Sequence, residues 1–286
     1  MDARTVIANT SAKLLARVVE RSKYVRHKIR SLEFSGKARV VAFVGPTAEE
    51  LIVACDGIRY KLTLNDDIQR AIYFNAYEPE VHQVLSVLPT NALCLDIGAN
   101  IGFYSLHFAK YGTVHAFECD PANFQRLNEN IRLNGFENVY AHELAVSDKK
   151  ETLTFYQSGA SHSGWGSLAR FDDIAEFQIT VNSTTLDNFL RTHSIEGVDL
   201  LKVDIEGAEF ELLEGAQESL RNQVFKYILI EFNGARLAQR GRTFEMFDVL
   251  FSSYGYSPVL LNLDLYERMK SGMDIHLCVN FLYSAT

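Results

Sequence analysis

The sequence predicts a doubly wound α/β fold built on a mostly parallel seven-stranded sheet, and three observations carry that expectation. From residue 93 onward, short apolar runs alternate with stretches of helical periodicity, and strands alternating with helices pair in parallel with both sheet faces covered. The run Leu93-Cys94-Leu95-Asp96-Ile97 breaks directly into Gly98-Ala99-Asn100-Ile101-Gly102, a glycine turn that leads into a helix. The next apolar run ends in Phe117-Glu118, twenty residues after Gly98, where an acid suits the hydroxyls of a ribose.

The elements follow in order. Residues 3–30 read as a helix, with Val6, Ile7, Leu14, Leu15, Val18 and Val19 at helical spacing and Arg17, Arg21 and Arg26 among its basic positions. Short strands are expected over 40–44, 51–54 and 58–64, the last two joined by the hairpin dipeptide Asp56-Gly57. Helices are expected near 66–76 and 79–88. Regular alternation then begins: strand 93–97, helix 103–110, strand 113–118, helix 122–133 and strand 138–146. Two less regular strands, 152–156 and 177–181, interrupt it. Helix 186–193, strand 198–204, helix 207–220, strand 226–232 and helix 243–253 restore it. The chain closes on strands 257–261 and 275–283, separated by a loop and expected to form an antiparallel edge. The core is expected at Leu93, Leu95, Ile97, Val114, Ala116, Leu200, Leu201, Val203, Ile228 and Ile230. Three regions result: a basic helical arm (1–40), capping strands and helices (41–90), and a cofactor-binding sheet domain (91–286).

Composition narrows the function. The chain has 286 residues, 47% hydrophobic and 22% charged, enough apolar side chains for a sizeable core. No apolar run approaches the roughly 18 residues of a membrane span. The opening residues lack the pattern of a secretory signal, so a cytoplasmic location is expected. Cys55, Cys94, Cys119 and Cys278 have no paired spacing, which argues against a zinc site or a disulfide framework. A net charge of −8 speaks against a nucleic-acid partner. The charge is uneven: residues 1–40 carry a net +7 and the remainder −15. That asymmetry sets the arm apart as a segment packed on the body or on a second subunit, so a homodimer is expected, in preference to a helix resting on an anionic surface.

The glycine turn decides the cofactor. Dinucleotide sites favour GxGxxG, with a pyrophosphate at the following helix N-terminus. Here the pattern is Gly98-x-Asn100-x-Gly102, and Asp96 precedes the turn. A carboxylate is repelled by a pyrophosphate but attracted by the ammonium and sulfonium of S-adenosylmethionine. Asp96, Gly98, Asn100, Gly102 and Glu118 therefore point to that cofactor.

Asp96–Gly102, taken together with Lys202-Val203-Asp204-Ile205-Glu206-Gly207-Ala208-Glu209, resembles the FkbM-type methyltransferases. The resemblance runs from about Asn65 to Val259 and leaves the first 40 residues outside it. Tyr77-Glu78-Pro79, Ala145-Val146-Ser147-Asp148 and Thr185-Leu186-Asp187 support it. It implies a Rossmann-like class I methyltransferase that uses S-adenosylmethionine and mostly modifies hydroxyl groups. It also adds Tyr77, Ala145 and Asp204 to the cofactor-binding residues.

Methyl transfer is an in-line displacement, so a nucleophile must be held about 3 Å from the methyl carbon and its proton accepted. Strand 198–204 brings Lys202 and Asp204 to its carboxyl end, on one face and able to pair. Asp204 can serve as general base, position the methionine ammonium or ligate a metal. Lys202 is either part of that machinery or a neutraliser of neighbouring acids. Glu206 and Glu209 are either catalytic or helix N-terminal carboxylates. Asp204, Glu231 and Asn233 would give three oxygens at adjacent strand ends, a set suited to magnesium. His162 is a second candidate base, in a loop where Trp165 either stacks on substrate or anchors the chain; His107 reads as packing. The expected reaction is O-methylation of a sugar, glycan or secondary metabolite. N-methylation of a small amine, an NAD-dependent dehydrogenase and a catalytically idle binding module are the alternatives.

Overall fold

The computed structural model describes residues 11–17, 19, 29, 37–41, 43–159, 162–171, 177–259, 263–271 and 278–286. Residues 11–17 are helical, and most of the remaining 3–30 segment lies outside the described residues. The chain divides into two compact units, Met1–Glu80 with Gly159–Gly164, and Val81–Ser158 with Trp165–Thr286.

In the first unit, β1 (Glu50–Cys55) and β2 (Ile58–Thr63) form an antiparallel hairpin closed by Cys55 opposite Ile58. Asp56 (φ 49°) and Gly57 (φ 74°) are both left-handed, as the two-residue turn that matches strand twist requires. Ile58, Tyr60 and Leu62 alternate onto one buried face. Asp66 caps the helix Asp67–Tyr73 by accepting from the Gln69 amide. The strand expected over 40–44 is replaced by a helix, Lys37–Val41. Val40 and Val41 are both buried, which a short apolar run achieves equally well in either conformation.

The second unit holds β3 (Ala92–Ile97), β4 (Gly112–Phe117), β5 (Val139–His142), β6 (Ala145–Val146), β7 (Thr152–Gln157), β8 (Phe177–Thr184), β9 (Val198–Val203), β10 (Phe225–Asn233), β11 (Tyr256–Val259) and β12 (Cys278–Ala285). Seven of them form one sheet in the order β11-β12-β10-β9-β3-β4-β5. β3, β4, β5, β9 and β10 run parallel, and β12 pairs antiparallel with both β10 and β11. The expected doubly wound, mostly parallel sheet is therefore present. The closing pair forms the expected antiparallel edge, with β12 inserted between β10 and β11 and β11 outermost.

Two expected elements divide, and an expected loop holds a helix. The strand expected over 138–146 ends at His142, and β6 leaves the main sheet to pair with β8. The helix expected over 207–220 is two helices, Glu209–Glu214 and Gln217–Arg221. It breaks at Gly215, where a Cβ would stand 2.1 Å from the Ser147 carbonyl oxygen. The loop expected before the last strand contains the helix Leu263–Lys270, held by buried Tyr266 and Met269 three residues apart. A further short helix, Gly234–Gln239, follows β10 directly.

The expected core residues are buried, apart from Leu93, which is partly exposed at the start of β3. Phe232, Phe244, Phe247, Phe251 and Tyr283 add an aromatic layer against the sheet. Among the described residues, no helix is long and apolar enough to cross a membrane. The chain proceeds outward from β3 through β4 to β5, then returns to β9 and proceeds the other way to β10. The strand order thus reverses between β3 and β9, whose carboxyl ends flank the crevice where open α/β sheets bind ligands.

Candidate active site

The ends of β3 and β9 are drawn together by their backbones. The Asp204 amide donates to the Ile97 carbonyl at 3.0 Å. A Cβ on Gly98 (φ +80°) would stand 1.8 Å from the Asp204 carbonyl oxygen, so only glycine fits this seam. The neighbouring strand end alone therefore requires glycine at this position. Four of the turn's amides are also committed internally. Gly98 and Ala99 donate to the Phe117 carbonyl, Asn100 donates to Glu118 Oε2 at 2.7 Å, and Gly102 donates to the Ala99 carbonyl.

Asp96 and Lys202 are register partners across the same seam. Lys202 is buried, with Nζ 3.0 Å from Asp204 Oδ2, 3.9 Å from Asp96 Oδ1 and 4.7 Å from the centre of the Tyr104 ring. The pairing of Lys202 with Asp204 is thus present. Asp96 is fully buried and its Oδ2 accepts from the Ser105 hydroxyl at 2.5 Å. Burial pushes its carboxyl up, while Lys202 and Ser105 pull it back. Its carboxylate turns inward to these two partners, whereas the sequence suggested that it faced the cofactor. Asp204, with 17% of its side chain exposed, is the member of the group that reaches the surface.

Glu118, at the end of β4, is buried and accepts from the Asn100 and Asp120 amides at 2.7 and 2.8 Å. Burial outweighs these bonds and pushes its carboxyl up to about 7. Asn100 beside it is left-handed (φ 50°), and its side-chain oxygen is buried with no hydrogen-bond partner among the described residues. Ala145 is buried in β6, in a small cluster with Phe155 and Val181 against which Cys119 packs.

On the other side of Asp204, one carboxylate oxygen each from Asp204, Glu206 and Glu231 lie within 4.8 Å of one another. Asn233, expected among the metal ligands, is used differently. Its oxygen caps the helix Gly234–Gln239 by accepting from the Arg236 amide, and its nitrogen donates to Glu206 Oε2 at 2.9 Å. Glu231 Oε1 accepts from the Cys278 thiol at 3.0 Å. Of the expected magnesium set, Asp204 and Glu231 thus come together with Glu206, while Asn233 caps a helix and holds the Glu206 carboxylate. Burial, then repulsion from Asp204 and Glu209, pushes the Glu206 carboxyl up to about 8. Glu209 is fully buried and accepts from the Gly207 amide at 3.0 Å, the turn-closing role of a helix N-terminal carboxylate.

Arg240 donates to the Gly207 carbonyl and to both carboxylate oxygens of Glu211, while Arg236 lies 4.6 Å over the Phe171 ring. The sequence gave no indication of Tyr104, Arg236 or Arg240, which come from the helices that follow β3 and β10. Ser105 and Asp96 meet only because the turn reverses the chain between them. His107 is buried, its Nδ1 2.8 Å from the Phe103 carbonyl, as packing requires.

Two residues singled out in the sequence belong to the first unit. The His162 ring lies 3.1 Å from Asp67 Oδ2, and the Ser163 amide donates to Asp66 Oδ2 at 2.8 Å. Tyr77 is half-buried in that unit, before Glu78, a residue with φ 38°.

A doubly wound sheet with carboxylates gathered at its reversal point defines an α/β protein of the open-sheet class, and the comparison with known families specifies which kind. Residues 96–258 match the methyltransferase FkbM domain, and the chain belongs to that family. It is 31% identical over 150 residues to Methyltransferase 1 of Beauveria bassiana, a match covering 46% of this chain and 60% of that protein's length. It is 28% identical over 166 residues to the 2-O-methyltransferase NoeI of Sinorhizobium fredii, covering 52% of this chain and 68% of NoeI. It is 23% identical over 192 residues to the hexuronic acid methyltransferase AglP of Haloferax volcanii, covering 66% of this chain and 77% of AglP.

Proposed function

We propose that this chain is an S-adenosylmethionine-dependent methyltransferase that acts on a hydroxyl of a sugar, glycan or secondary metabolite. The observation that carries the cofactor is the polarity of the crevice. The Gly98, Ala99, Asn100 and Gly102 amides all donate within the protein, so these four are not offered to a pyrophosphate. What it presents is acceptors: Glu118 and the unpartnered Asn100 oxygen suit the hydroxyls of a ribose, and Asp204 suits an ammonium. This donor-poor, acceptor-rich set fits a cationic nucleoside and speaks against NAD. Tyr77, Ala145 and Gly102 keep their proposed place along the cofactor through the family resemblance.

When bound, the cofactor supplies an electrophilic methyl group on a sulfonium. The protein must orient the acceptor and take its proton. Asp204, tied to Lys202 at 3.0 Å, is held in one orientation and serves to position. Glu206 is the better-placed base, because burial pushes its carboxyl up to about 8, so it holds a proton more tightly than an ordinary carboxylate. His162 is the alternative base, in a loop segment anchored on Asp67.

A hydroxyl acceptor is favoured by the name of one relative, a 2-O-methyltransferase, and a sugar-type substrate by that of another, a hexuronic acid methyltransferase. The test is methyl transfer from radiolabelled S-adenosylmethionine to a panel of hydroxylated sugars and amines. Label in a base-stable ether product supports O-methylation; label only in amines contradicts it. A homodimer through the N-terminal arm and a cytoplasmic location belong to the same proposal, and sedimentation of the full chain tests the first.

A further inference from the structure

The connection between β7 and β8 supplies two buried residues of the second unit that the methyl-transfer reading does not use. Ser167 and Phe171 are 1% and 2% exposed. Ser167 exchanges both main-chain hydrogen bonds with Tyr156 of β7, at 2.9 and 3.0 Å. Gly166 lets the segment press onto Phe155, because a Cβ there would stand 2.5 Å from that ring. From this base the segment reaches the turn that follows β9. The Ser167 hydroxyl donates to the Ile205 carbonyl at 3.4 Å and accepts from the Ala169 amide at 3.0 Å. The Phe171 ring covers Gly207: a Cβ on that glycine would stand 2.8 Å from the ring's Cζ. The Arg236 guanidinium lies over the same ring at 4.6 Å.

Glu206 stands between these two contacts, on a backbone that needs holding. It is left-handed (φ 52°) and is followed by left-handed Gly207 (φ 98°). A residue with a Cβ is unfavourable there and persists only where its surroundings over-determine it. The glycine beside it offers no such restraint, because it visits both signs of φ freely. Glu209 holds the turn by accepting from the Ile205 and Gly207 amides at 3.4 and 3.0 Å. Phe171 fills the space into which the Gly207 α carbon would otherwise swing. Asn233 then fixes the Glu206 carboxylate itself at 2.9 Å. We propose that Phe171 is a positioning residue for methyl transfer: with Ser167 anchoring its segment, it locks the turn that aims Glu206 at the transferring methyl group. The inference rests on Glu206 as the proton acceptor, and Phe171 acts only through the turn. The sequence pointed to this loop through His162 and Trp165 and gave Phe171 no role, because its contact with Gly207 spans 36 residues.

The test compares two cofactor analogues by calorimetry on the full chain. S-adenosylhomocysteine lacks the methyl group. Sinefungin carries an amine-bearing carbon in place of the methylated sulfur, so its ammonium senses a carboxylate aimed at the methyl position. Phe171→Leu is expected to weaken sinefungin by about fivefold and to leave S-adenosylhomocysteine within about twofold, as Glu206→Gln does. Ser167→Ala, which keeps the packing, should move the ratio of affinities in the same direction by less, and it decides the matter if Phe171→Leu does not fold. Phe177→Ser, at an exposed position at the far end of the connection, should leave both affinities unchanged. A merely structural role for Phe171 predicts equal loss of both ligands, and that result would overturn the proposal. So would an unchanged ratio in Phe171→Leu and Ser167→Ala where Glu206→Gln shifts it, which leaves the reading of Glu206 intact. An unchanged ratio in Glu206→Gln would overturn that reading, and the role of Phe171 with it.

Discussion

At the scale of single residues, Lys202 holds the site's charge together. Its ammonium is buried between Asp96 and Asp204, and removing one member of a buried ion pair leaves the others uncompensated. Lys202→Met is therefore expected to cost about 3–5 kcal/mol of stability, read by urea denaturation. The double variant with Asp96→Asn should recover part of that loss; an additive double variant would contradict the pairing. Glu206 makes a different prediction. Glu206→Gln should lower kcat by about 10²–10⁴-fold while leaving cofactor affinity within about twofold. The parent rate should rise with pH through about 8 as that carboxyl ionises, and the variant should lose this limb. Lys202, Asp204 and Glu206 were legible in the sequence because a strand end followed by a glycine turn collects charges only where a ligand or a partner needs them. Tyr104 and Arg240 were not, because their contacts arise from how separate helices fold back on the sheet.

At the scale of elements, the seam between β3 and β9 sets the geometry of the crevice. Gly98→Ala places a methyl 1.8 Å from the Asp204 carbonyl oxygen at φ +80°, so the two strand ends must separate. Cofactor binding and stability should fall together in that variant. Gly135→Ala supplies the contrast: φ is +68° but nothing lies within 4 Å of the added carbon. It should cost only about 1 kcal/mol and leave binding unchanged, as thermal melts and calorimetry would show. Equal losses in the two would mean that backbone strain alone, without the close strand approach, explains Gly98. The regular β-helix-β run was readable because periodicity marks buried strands and amphipathic helices. The position of β12 between β10 and β11 was not, since strand order depends on a long connection that local pattern does not encode. Val40 and Val41 show the complementary failure: five residues are too few for periodicity to separate helix from strand.

At the scale of the whole molecule, the buried acids give the protein a characteristic pH dependence. Burial raises Glu118 and Glu209 to about 7 and Glu206 to about 8, above their ordinary value of 4.5. The folded chain then binds more protons than the unfolded chain, so these groups favour folding below about 4.5 and lose that contribution as pH rises through 7 to 8. His142 works in the opposite sense. Its folded value is lowered from 6.5 to about 4, so its contribution is present above 6.5 and is lost as pH falls toward 4. Between about 6.5 and 8 the acids dominate, and the Tm of the ligand-free protein should fall across that window. A Tm that rises there would mean that the three carboxyls are not protonated in the folded state.

The crevice as a whole has one role in this reading, to hold a cationic nucleoside among carboxylates. The most direct measurement is calorimetric titration of the full chain with S-adenosylhomocysteine, with NAD as the control. Saturable one-site binding of S-adenosylhomocysteine, weakened at least tenfold by Glu118→Ala, with no heat from NAD, is the expected result. Binding of NAD, or affinity for S-adenosylhomocysteine untouched by loss of Glu118, would contradict the assignment of the crevice.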